Sequence, residues 1–578
     1  MTEPIVRVAG LTKVSRSYRR EEGPAAAVTR TAGGSRAVLL LAALTVVVLL
    51  PFAGKAFHID DPLFLKAARQ IRAHPLDFYG FSVNWYGTEQ PMWQVMKNPP
   101  LASYFIALVT VIAGENETAL HLAFLIPAIA AILGTYVLAR RLCAHPLVAA
   151  LATLFCPAFL VSSTNVMCDT LLLAFWVWSI ELWLRGIDGG RPATLAAAAL
   201  LVSLAALTKY FGMALVPLLV VYAVASRRRI EVWGQFLLIP LAILAAYQWA
   251  TLSLYGVGLL GDAGLYASRL KTHGEMMWWK VFVALVFSGG SLFTGVLLLP
   301  LFERRRTLVA AFVLSVVGFL LLTSADSIGG FFPKTGTPGR GLLISELVVF
   351  LLGGLGLLGL AAADVQRNRD RDSLLLFLWV VGTFLFGPFV NWTVSARNLL
   401  PIAPAAAILV VRRLDRDPSI GRGFRWLAPL TIAAGLSLLV AAGDAHLADS
   451  ARNAAERIAR DFGRRSGTLW FQGHWGFQYY MEKTGALPFD RLRPAVHAGD
   501  RMAVPTNNTW VVPVSESAVT LVSRIDVPIP APVATVQPIV GAGFYSDSWG
   551  PLPFAIGRVP PERYFLFEIL RPDELAHR

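Results

Sequence analysis

Long apolar runs separated by short polar segments follow one another from residue 37 to residue 442. A run of about 17–25 apolar residues crosses a bilayer as a single α-helix. The pattern therefore predicts an all-α polytopic membrane protein with about thirteen transmembrane helices. The predicted helices occupy residues 37–53, 119–138, 146–164, 170–184, 193–208, 210–225, 231–253, 279–302, 307–323, 342–362, 373–390, 398–412 and 424–442.

The apolar run 99–113 is not counted among these helices. Its roughly 15 residues fall in the length range of interfacial or re-entrant segments. If it crossed the membrane, Arg140, Arg141 and Arg185 would lie outside the cell, against the positive-inside rule. We therefore predict that it is an interfacial helix within a first outer loop, residues 54–118.

Basic residues also set the predicted orientation. The segments predicted to be cytoplasmic hold 25 Lys and Arg against 12 Asp and Glu, which is typical of inner loops. Residues 1–36 form a basic cytoplasmic tail, and residues 37–442 form the transmembrane domain. Thirteen crossings then place residues 443–578 outside. The predicted location is a bacterial inner membrane.

The C-terminal segment 443–578 differs from the rest of the chain. It carries 14 basic and 14 acidic residues, with shorter apolar stretches. The pattern predicts a small α/β extracytoplasmic domain, and the length of the segment is typical of one domain. Helices are predicted at 449–463 and 476–483, and strands at 468–472, 509–513 and 564–569.

Composition excludes two classes of protein. Hydrophobic residues make up 55% of the 578 residues and charged residues 15%, and the mean hydropathy is +0.57. A soluble domain has about 25% charged residues, and a disordered chain has low hydrophobicity. The net charge of +14 lies almost entirely in the cytoplasmic segments, so it indicates topology rather than nucleic-acid binding. No His/Cys metal spacing appears in the sequence.

A few acids lie at the predicted outer ends of the spans. A charged side chain is costly there, so each such residue is a candidate for function. Asp60 and Asp61 follow the first span, and Asp169 opens the fourth. The simpler interpretation of each is a helix cap or a first-turn acid. The functional interpretation is a carboxylate that takes a proton from an acceptor.

Two cations share this predicted outer face. Lys209 separates two apolar spans, and Arg397 precedes the twelfth. A lone Lys can extend its amine to the membrane surface, but cations also bind lipid phosphate, and Arg does so through its bidentate fork. Weaker candidates are Arg269, Lys271, His273 and Arg340, for which solvated charge is the simpler interpretation.

Five short motifs resemble those of the GT-C membrane glycosyltransferases, in the family's order. The nearest groups are the protein O-mannosyltransferase-like family and the lipid A aminoarabinose transferase. Asp61 stands where these proteins have Glu, Tyr210 where they have Gly, and Asn398 where they have Tyr. The motifs are Asp60–Asp61–Pro62, Asn98–Pro99–Pro100–Leu101, Cys168–Asp169–Thr170–Leu171–Leu172, Leu207–Thr208–Lys209 and Arg397–Asn398–Leu399–Leu400–Pro401.

The resemblance implies a polyprenyl-phosphate-linked sugar donor and a lipid, glycan or protein acceptor on the outer face. It implies that Asp60 is the general base, assisted by Asp61, that Asp169 lines the same cavity, and that Lys209 and Arg397 bind the donor phosphate. Asn98 and the four weaker candidates would line the cavity. No cofactor is required, and a divalent metal is possible but not predicted. The alternative is a transporter or flippase, although such proteins often show two matching halves, which this sequence lacks.

Overall fold

A computed structural model describes residues 24–271, 277–292, 297, 305–324, 339–416, 426–463 and 467–575. Over these ranges the chain is mostly helical, with short strands in the first outer loop and near the C-terminus. The α-helices, in order from α1 to α21, are Pro24–Leu49, Asp61–Ala73, Met92–Val95, Leu101–Ala113, Glu117–Leu142, Pro146–Leu154, Pro157–Ser163, Cys168–Gly189, Pro192–Thr208, Leu215–Ala225, Ile230–Trp233, Leu238–Tyr255, Leu259–Lys271, Met277–Ser291, Arg305–Ser324, Arg340–Asn368, Arg371–Phe389, Ala396–Leu399, Ile402–Leu414, Leu427–Phe462 and Trp475–Lys483. The strands, from β1 to β11, are Ser82–Asn84, Glu89–Pro91, Leu469–Phe471, Leu487–Pro488, Arg501–Pro505, Val519–Val527, Val533–Ala534, Val536–Gln537, Ala542–Gly543, Ala555–Ile556 and Glu562–Ile569.

Seven helices in the described ranges are long and apolar enough to cross a membrane. An eighth span results if α6 and α7, which meet at a 60° bend, count as one. Shorter apolar helices occupy Leu101–Ala113, Pro192–Thr208, Tyr210–Ala225 and Phe312–Thr323. Helical residues lie in each of the thirteen predicted segments, and the number of crossings stays a prediction.

Local sequence explains where the helices near the site begin and end. Proline occupies the first helical position of α6, α7 and α9, where its missing N–H costs nothing. Helix α8 ends at Gly190, whose φ of 59° is the left-handed conformation that glycine adopts without strain. Helix α8 packs against α5 and α9. A Cβ on Gly134 would approach the Trp178 ring to 2.9 Å, so this small residue permits the close approach of α5 and α8.

The first outer loop folds as a compact unit. Helix α4 occupies most of the predicted interfacial segment 99–113 and packs against α2 and α5. Strands β1 and β2 form an antiparallel hairpin between α2 and α4. The buried residues of α2 recur at positions such as Phe64, Ala68 and Ile71, which lie on one face of a helix.

The C-terminal region contains a five-stranded sheet in the order β4-β3-β5-β11-β6. Strand β3 is parallel to β4 and β5, and β11 is antiparallel to β5 and β6. The predicted strand at 509–513 is wrong, because the strand lies earlier, at Arg501–Pro505. Turn-forming Asn507 and Asn508 end it, and Trp510 has a φ of 56°, which a strand does not allow.

The C-terminal region is joined to the membrane helices rather than separated from them. Helix α20 is continuous across the predicted boundary at 442/443. A Cβ on Gly443 would lie 2.5 Å from the carbonyl oxygen of Val533, so the glycine permits close packing of the region on this helix. Both carboxylate oxygens of Glu346 in α16 accept the backbone N–H of Ile556 at 3.1 Å, and the Phe554 ring packs 5.0 Å from that of Phe350.

Candidate active site

Asp60 lies at the N-terminal end of α2, but its side chain makes no capping hydrogen bond. Its Oδ2 instead accepts a hydrogen bond from Nη2 of Arg397 at 3.2 Å, and the side chain stays 31% exposed. The preceding residue, Ile59, has a φ of 45°, a conformation that is costly for a β-branched side chain. Such strain persists where the surrounding structure fixes it, and it often marks functional sites.

Asp61 has a different environment from its neighbour. It is fully buried, and its two oxygens accept the backbone N–H groups of His58 at 2.8 Å and Val166 at 2.9 Å. Burial raises the pKa of Asp61 to about 7. Asp61 therefore joins the first outer loop to the segment that precedes α8.

Asp169 occupies the first turn of α8, where a negative charge is favoured by the helix dipole. Its side chain is only 2% exposed. Oδ1 lies 2.7 Å from Nζ of Lys209, and Oδ2 lies 3.8 Å from Nη1 of Arg397. Asp169 thus contacts both cations that the sequence singles out.

Lys209 and Arg397 lie where helices end or begin. Lys209 follows the last residue of α9, and its Nζ also donates to Oδ1 of Asn398 at 2.7 Å. Arg397 lies in α18, whose N-cap Ser395 accepts the backbone N–H of Asn398 at 3.3 Å. Asn398, which replaces the Tyr of the resembling motif, therefore links Lys209 to the helix that carries Arg397.

Asp60, Asp169, Lys209 and Arg397 form one cluster, which we call the charge tetrad. Its two acids and two cations have balanced formal charge, and the Lys209 and Arg397 side chains are each 16% exposed. Among the described residues, Nε of Arg397 and Oδ2 of Asp169 are buried without a hydrogen-bond partner. Since buried polar atoms are normally paired, the tetrad has donor capacity available for an anionic group.

A second buried cluster lies beside the tetrad, and the sequence analysis missed it. The Cζ atom of Arg397 lies 5.0 Å from the ring centre of Tyr545. The Tyr545 hydroxyl donates to Oδ2 of Asp444 at 2.8 Å, and the same oxygen pairs with Nζ of Lys55 at 2.6 Å. A signal was available, because Asp444 is a lone acid in the apolar part of α20 and Lys55 lies just after the first apolar run.

The remaining sequence candidates have other surroundings. The backbone oxygen of Asn98 accepts a hydrogen bond from the Tyr79 hydroxyl at 2.8 Å. Arg340 donates to the carbonyl oxygen of Thr323 at 3.0 Å, near the C-terminal end of α15. Arg269 is exposed on α13, and Lys271 ends that helix. His273 lies outside the described residues.

The first outer loop borders a cavity, and the described residues lack the geometry of a metal site. A cavity of about 590 Å³ lies between α2, the β1–β2 hairpin and the C-terminal region, and its wall includes Lys66, Asn84 and Glu482. In the part of the chain that the structure describes, no group of three or more His, Cys, Asp or Glu side chains is arranged to hold a metal ion. The carboxylates of Asp60 and Asp169 face cationic side chains instead.

Comparison with known families supports the resemblance that the motifs carry. Residues 97–250 match the model of the dolichyl-phosphate-mannose-protein mannosyltransferase family. The matched segment contains Asp169 and Lys209 but neither Asp60 nor Arg397. A search of curated protein sequences found no match.

The solved structures to which the chain is similar include three glycosyltransferases. The oligosaccharyltransferase AglB from Archaeoglobus fulgidus, in complex with an inhibitory peptide and a dolichol-phosphate, has a TM-score of 0.47 at 14% identity, over 80% of this chain and 64% of that chain. ArnT from Cupriavidus metallidurans, bound to undecaprenyl phosphate, has a TM-score of 0.39 at 15% identity, over 81% and 93%. The arabinosyltransferase EmbB from Mycobacterium smegmatis has a TM-score of 0.33 at 15% identity, over 88% and 47%. This chain thus spans less than two thirds of the length of the oligosaccharyltransferase.

Proposed function

We propose that the chain is a glycosyltransferase that moves a sugar from a polyprenyl-phosphate carrier to an acceptor on the outer face of a bacterial inner membrane. The charge tetrad is the observation that carries this proposal. It joins a partly exposed carboxylate to two cations, one of which has a buried donor without a partner. Residues 97–250 match a family whose description names a lipid-phosphate-linked sugar. A donor of this kind agrees with such a site.

The cations account for the donor side of the reaction. Lys209 and Arg397 bind the phosphate that links sugar and lipid, and Nε of Arg397 supplies one of the donors. As the bond between the sugar carbon and the phosphate oxygen breaks, the leaving phosphate gains negative charge. Preorganised cations stabilise such charge in the transition state, so no metal or cofactor is required.

Asp60 accounts for the acceptor side. Its carboxylate takes the proton of the acceptor hydroxyl or amine while the acceptor atom bonds to the sugar carbon. The electron pair of the broken bond leaves with the polyprenyl phosphate, and direct displacement inverts the configuration at that carbon. Asp169 holds the two cations in place, and Asp61 fixes the loop that carries Asp60.

The proposed arrangement in the membrane completes this function. Thirteen crossings of GT-C type place the tail 1–36 in the cytoplasm and the region 443–578 outside. The tetrad then lies at the outer ends of the spans, where a lipid carrier presents its sugar to an external acceptor. The sugar is left open, as is the choice among lipid, glycan and protein acceptors.

The proposal is tested by glycolipid and glycan profiling of a strain that lacks the gene. One glycoconjugate should lose a single sugar, and wild-type protein should restore it. Asp60→Asn should not restore it despite equal amounts in the membrane, because loss of a general base costs about 10²–10⁴-fold in rate. Asp188→Asn, which removes an acid at the far end of α8, should restore the sugar.

Two outcomes would contradict the proposal. Full restoration by Asp60→Asn would show that Asp60 is not the base. Accumulation of an untransported lipid-linked glycan, with no missing sugar, would favour the flippase alternative. Purified protein in vesicles distinguishes the two classes further, since a transferase attaches the sugar to an acceptor in the same leaflet and a flippase moves its substrate between leaflets.

A further inference from the structure

The segment 544–547 of the C-terminal region lies directly against the backbone that carries Arg397. The carbonyl oxygen of Phe544 accepts the backbone N–H of Ala396 at 2.9 Å. The backbone N–H of Asp547 donates to the carbonyl oxygen of Val394 at 2.9 Å, and Oδ1 of Asp547 accepts the N–H of Val394 at 3.1 Å. The two segments are therefore tied together on both sides of Tyr545.

The Tyr545 ring is held at both its backbone and its hydroxyl. The hydroxyl donates to Asp444 at 2.8 Å and accepts from Nδ2 of Asn165 at 2.7 Å. Asp444 is fixed in turn by Nζ of Lys55 at 2.6 Å and by the hydroxyl of Thr535 at 2.7 Å. Residues from four parts of the chain thus converge to hold one ring in a single orientation.

The guanidinium of Arg397 packs on this ring. Its Cζ atom lies 5.0 Å from the ring centre, within the range of an attractive cation–π contact. The contact places the cation without using its N–H groups, and among the described residues Nε of Arg397 has no hydrogen-bond partner. Its Nη2 also donates to Oδ2 of Asp60 at 3.2 Å, and its Nη1 donates to the Sδ atom of Met167 at 2.8 Å and lies 3.8 Å from Oδ2 of Asp169.

We propose that Tyr545 is a positioning residue that orients Arg397 for the donor phosphate, so that the C-terminal region completes the active site. This proposal rests on the proposed function, because it assumes that Arg397 binds phosphate. It assigns the region 443–578 a part in donor binding that acts through Arg397. Removal of the ring lets the guanidinium move within the site, and the bidentate geometry that phosphate requires is lost.

The test is a titration of the full-length purified protein with undecaprenyl phosphate, with bound lipid measured by native mass spectrometry. Tyr545→Leu, which removes the ring, should raise the Kd about 3- to 30-fold, the range of a cation–π contact in a desolvated site. Tyr545→Phe, which keeps the ring and removes the hydroxyl, should raise it less than about 3-fold. This ordering separates the ring from the hydroxyl network.

Two comparisons separate positioning from a general loss of structure. In an Arg397→Gln background, Tyr545→Leu should add less than about 2-fold, because no guanidinium remains to be oriented. Phe554→Leu removes a buried ring of the same region that packs on Phe350 of α16 and not on Arg397. This control should lower the Tm and leave the lipid Kd unchanged.

The results that overturn the proposal are specific. Wild-type affinity in Tyr545→Leu, an equal effect in the Arg397→Gln background, or an equal loss in Phe554→Leu would each reject the positioning role. If the wild-type protein does not bind undecaprenyl phosphate, the proposed function itself fails at the donor. If the wild-type protein and Tyr545→Leu bind the lipid equally well, only the role of Tyr545 is rejected.

Discussion

Both ends of helix α8 carry ion pairs, but water reaches them to different extents. At the N-terminal end, Asp169 is 2% exposed and meets Lys209 and Arg397. At the C-terminal end, roughly 33 Å away for a helix of 22 residues, Asp188 and Arg371 are each 33% exposed and pair at 2.7 Å. Asp188 also pairs with Arg141.

The two ends therefore differ in the burial of their ion pairs and not in the presence of pairing. A half-exposed ion pair contributes about 0–1 kcal/mol, so it holds neighbouring helices without demanding one geometry. A buried pair loses its hydration, and removal of one partner destabilises the folded protein because the other charge stays buried without compensation. The buried end also holds two polar atoms that have no hydrogen-bond partner among the described residues, Nε of Arg397 and Oδ2 of Asp169.

The largest effect is expected when the buried end loses one cation. Lys209→Met leaves Asp169 buried with Arg397 at 3.8 Å as its remaining cationic contact. Loss of one partner of a buried pair costs about 3–5 kcal/mol, so the Tm in detergent should fall clearly. Binding of undecaprenyl phosphate should fall at least about 10-fold, because one of the two phosphate-binding cations is absent.

A double variant separates these two effects. Lys209→Met with Asp169→Asn removes the uncompensated charge, so most of the lost stability should return. Lipid binding should stay weak, because the cation is still missing. If the double variant bound the lipid as tightly as wild type, Lys209 would be a structural partner of Asp169 and not a phosphate ligand.

A smaller effect is expected at Asp61, a buried acid that meets backbone amides instead of cations. Its folded-state pKa of about 7 lies above the ordinary value of 3.8. An acid with a raised pKa contributes stability below pH 4 that is lost as the pH rises through 7, because only the unfolded chain releases the proton easily. Asp61→Asn removes this titration, so between pH 4 and pH 7 its Tm should rise by a few degrees relative to wild type.

Thermal unfolding of the two proteins across this pH range is the measurement. Asn keeps only one of the two acceptor oxygens, so a constant offset in Tm is expected from the lost hydrogen bond. The slope of the Tm difference against pH carries the prediction. Parallel curves for wild type and Asp61→Asn would mean that burial does not raise the pKa of this carboxyl.

Much of the architecture follows from the long apolar runs, because a segment that crosses a membrane must form its backbone hydrogen bonds internally, as a helix does. The positions of most helices were predictable for this reason, and the interfacial location of 99–113 stays a prediction. The charged tetrad was predictable as a set, since Asp60, Asp169, Lys209 and Arg397 are rare charges at the ends of apolar runs. That they contact each other was not, because a sequence carries no distances between residues up to 337 positions apart.

The environment of each acid could not be read from the sequence. Asp60 and Asp61 are identical and adjacent, yet one faces Arg397 and the other accepts two backbone N–H groups. Ile59, which precedes both, has a left-handed conformation that nothing in its side chain indicates. The role of Tyr545 was equally hidden, because it depends on long-range packing of the C-terminal region against Arg397.

The smallest effect is expected at the exposed end of α8, where the comparison is easiest to break. Asp188→Asn removes one partner from Arg141 and Arg371, but both guanidinium groups are about 30% exposed and water replaces the lost contact. The free energy of unfolding should therefore change by less than about 1 kcal/mol, and the Kd for undecaprenyl phosphate should stay within about 2-fold of wild type. Thermal unfolding and the lipid titration are run side by side with Lys209→Met. If Asp188→Asn lost as much stability and lipid affinity as Lys209→Met, exposure would not distinguish the two ends of the helix. The partly exposed pairs would then be as strongly coupled to stability and donor binding as the buried tetrad.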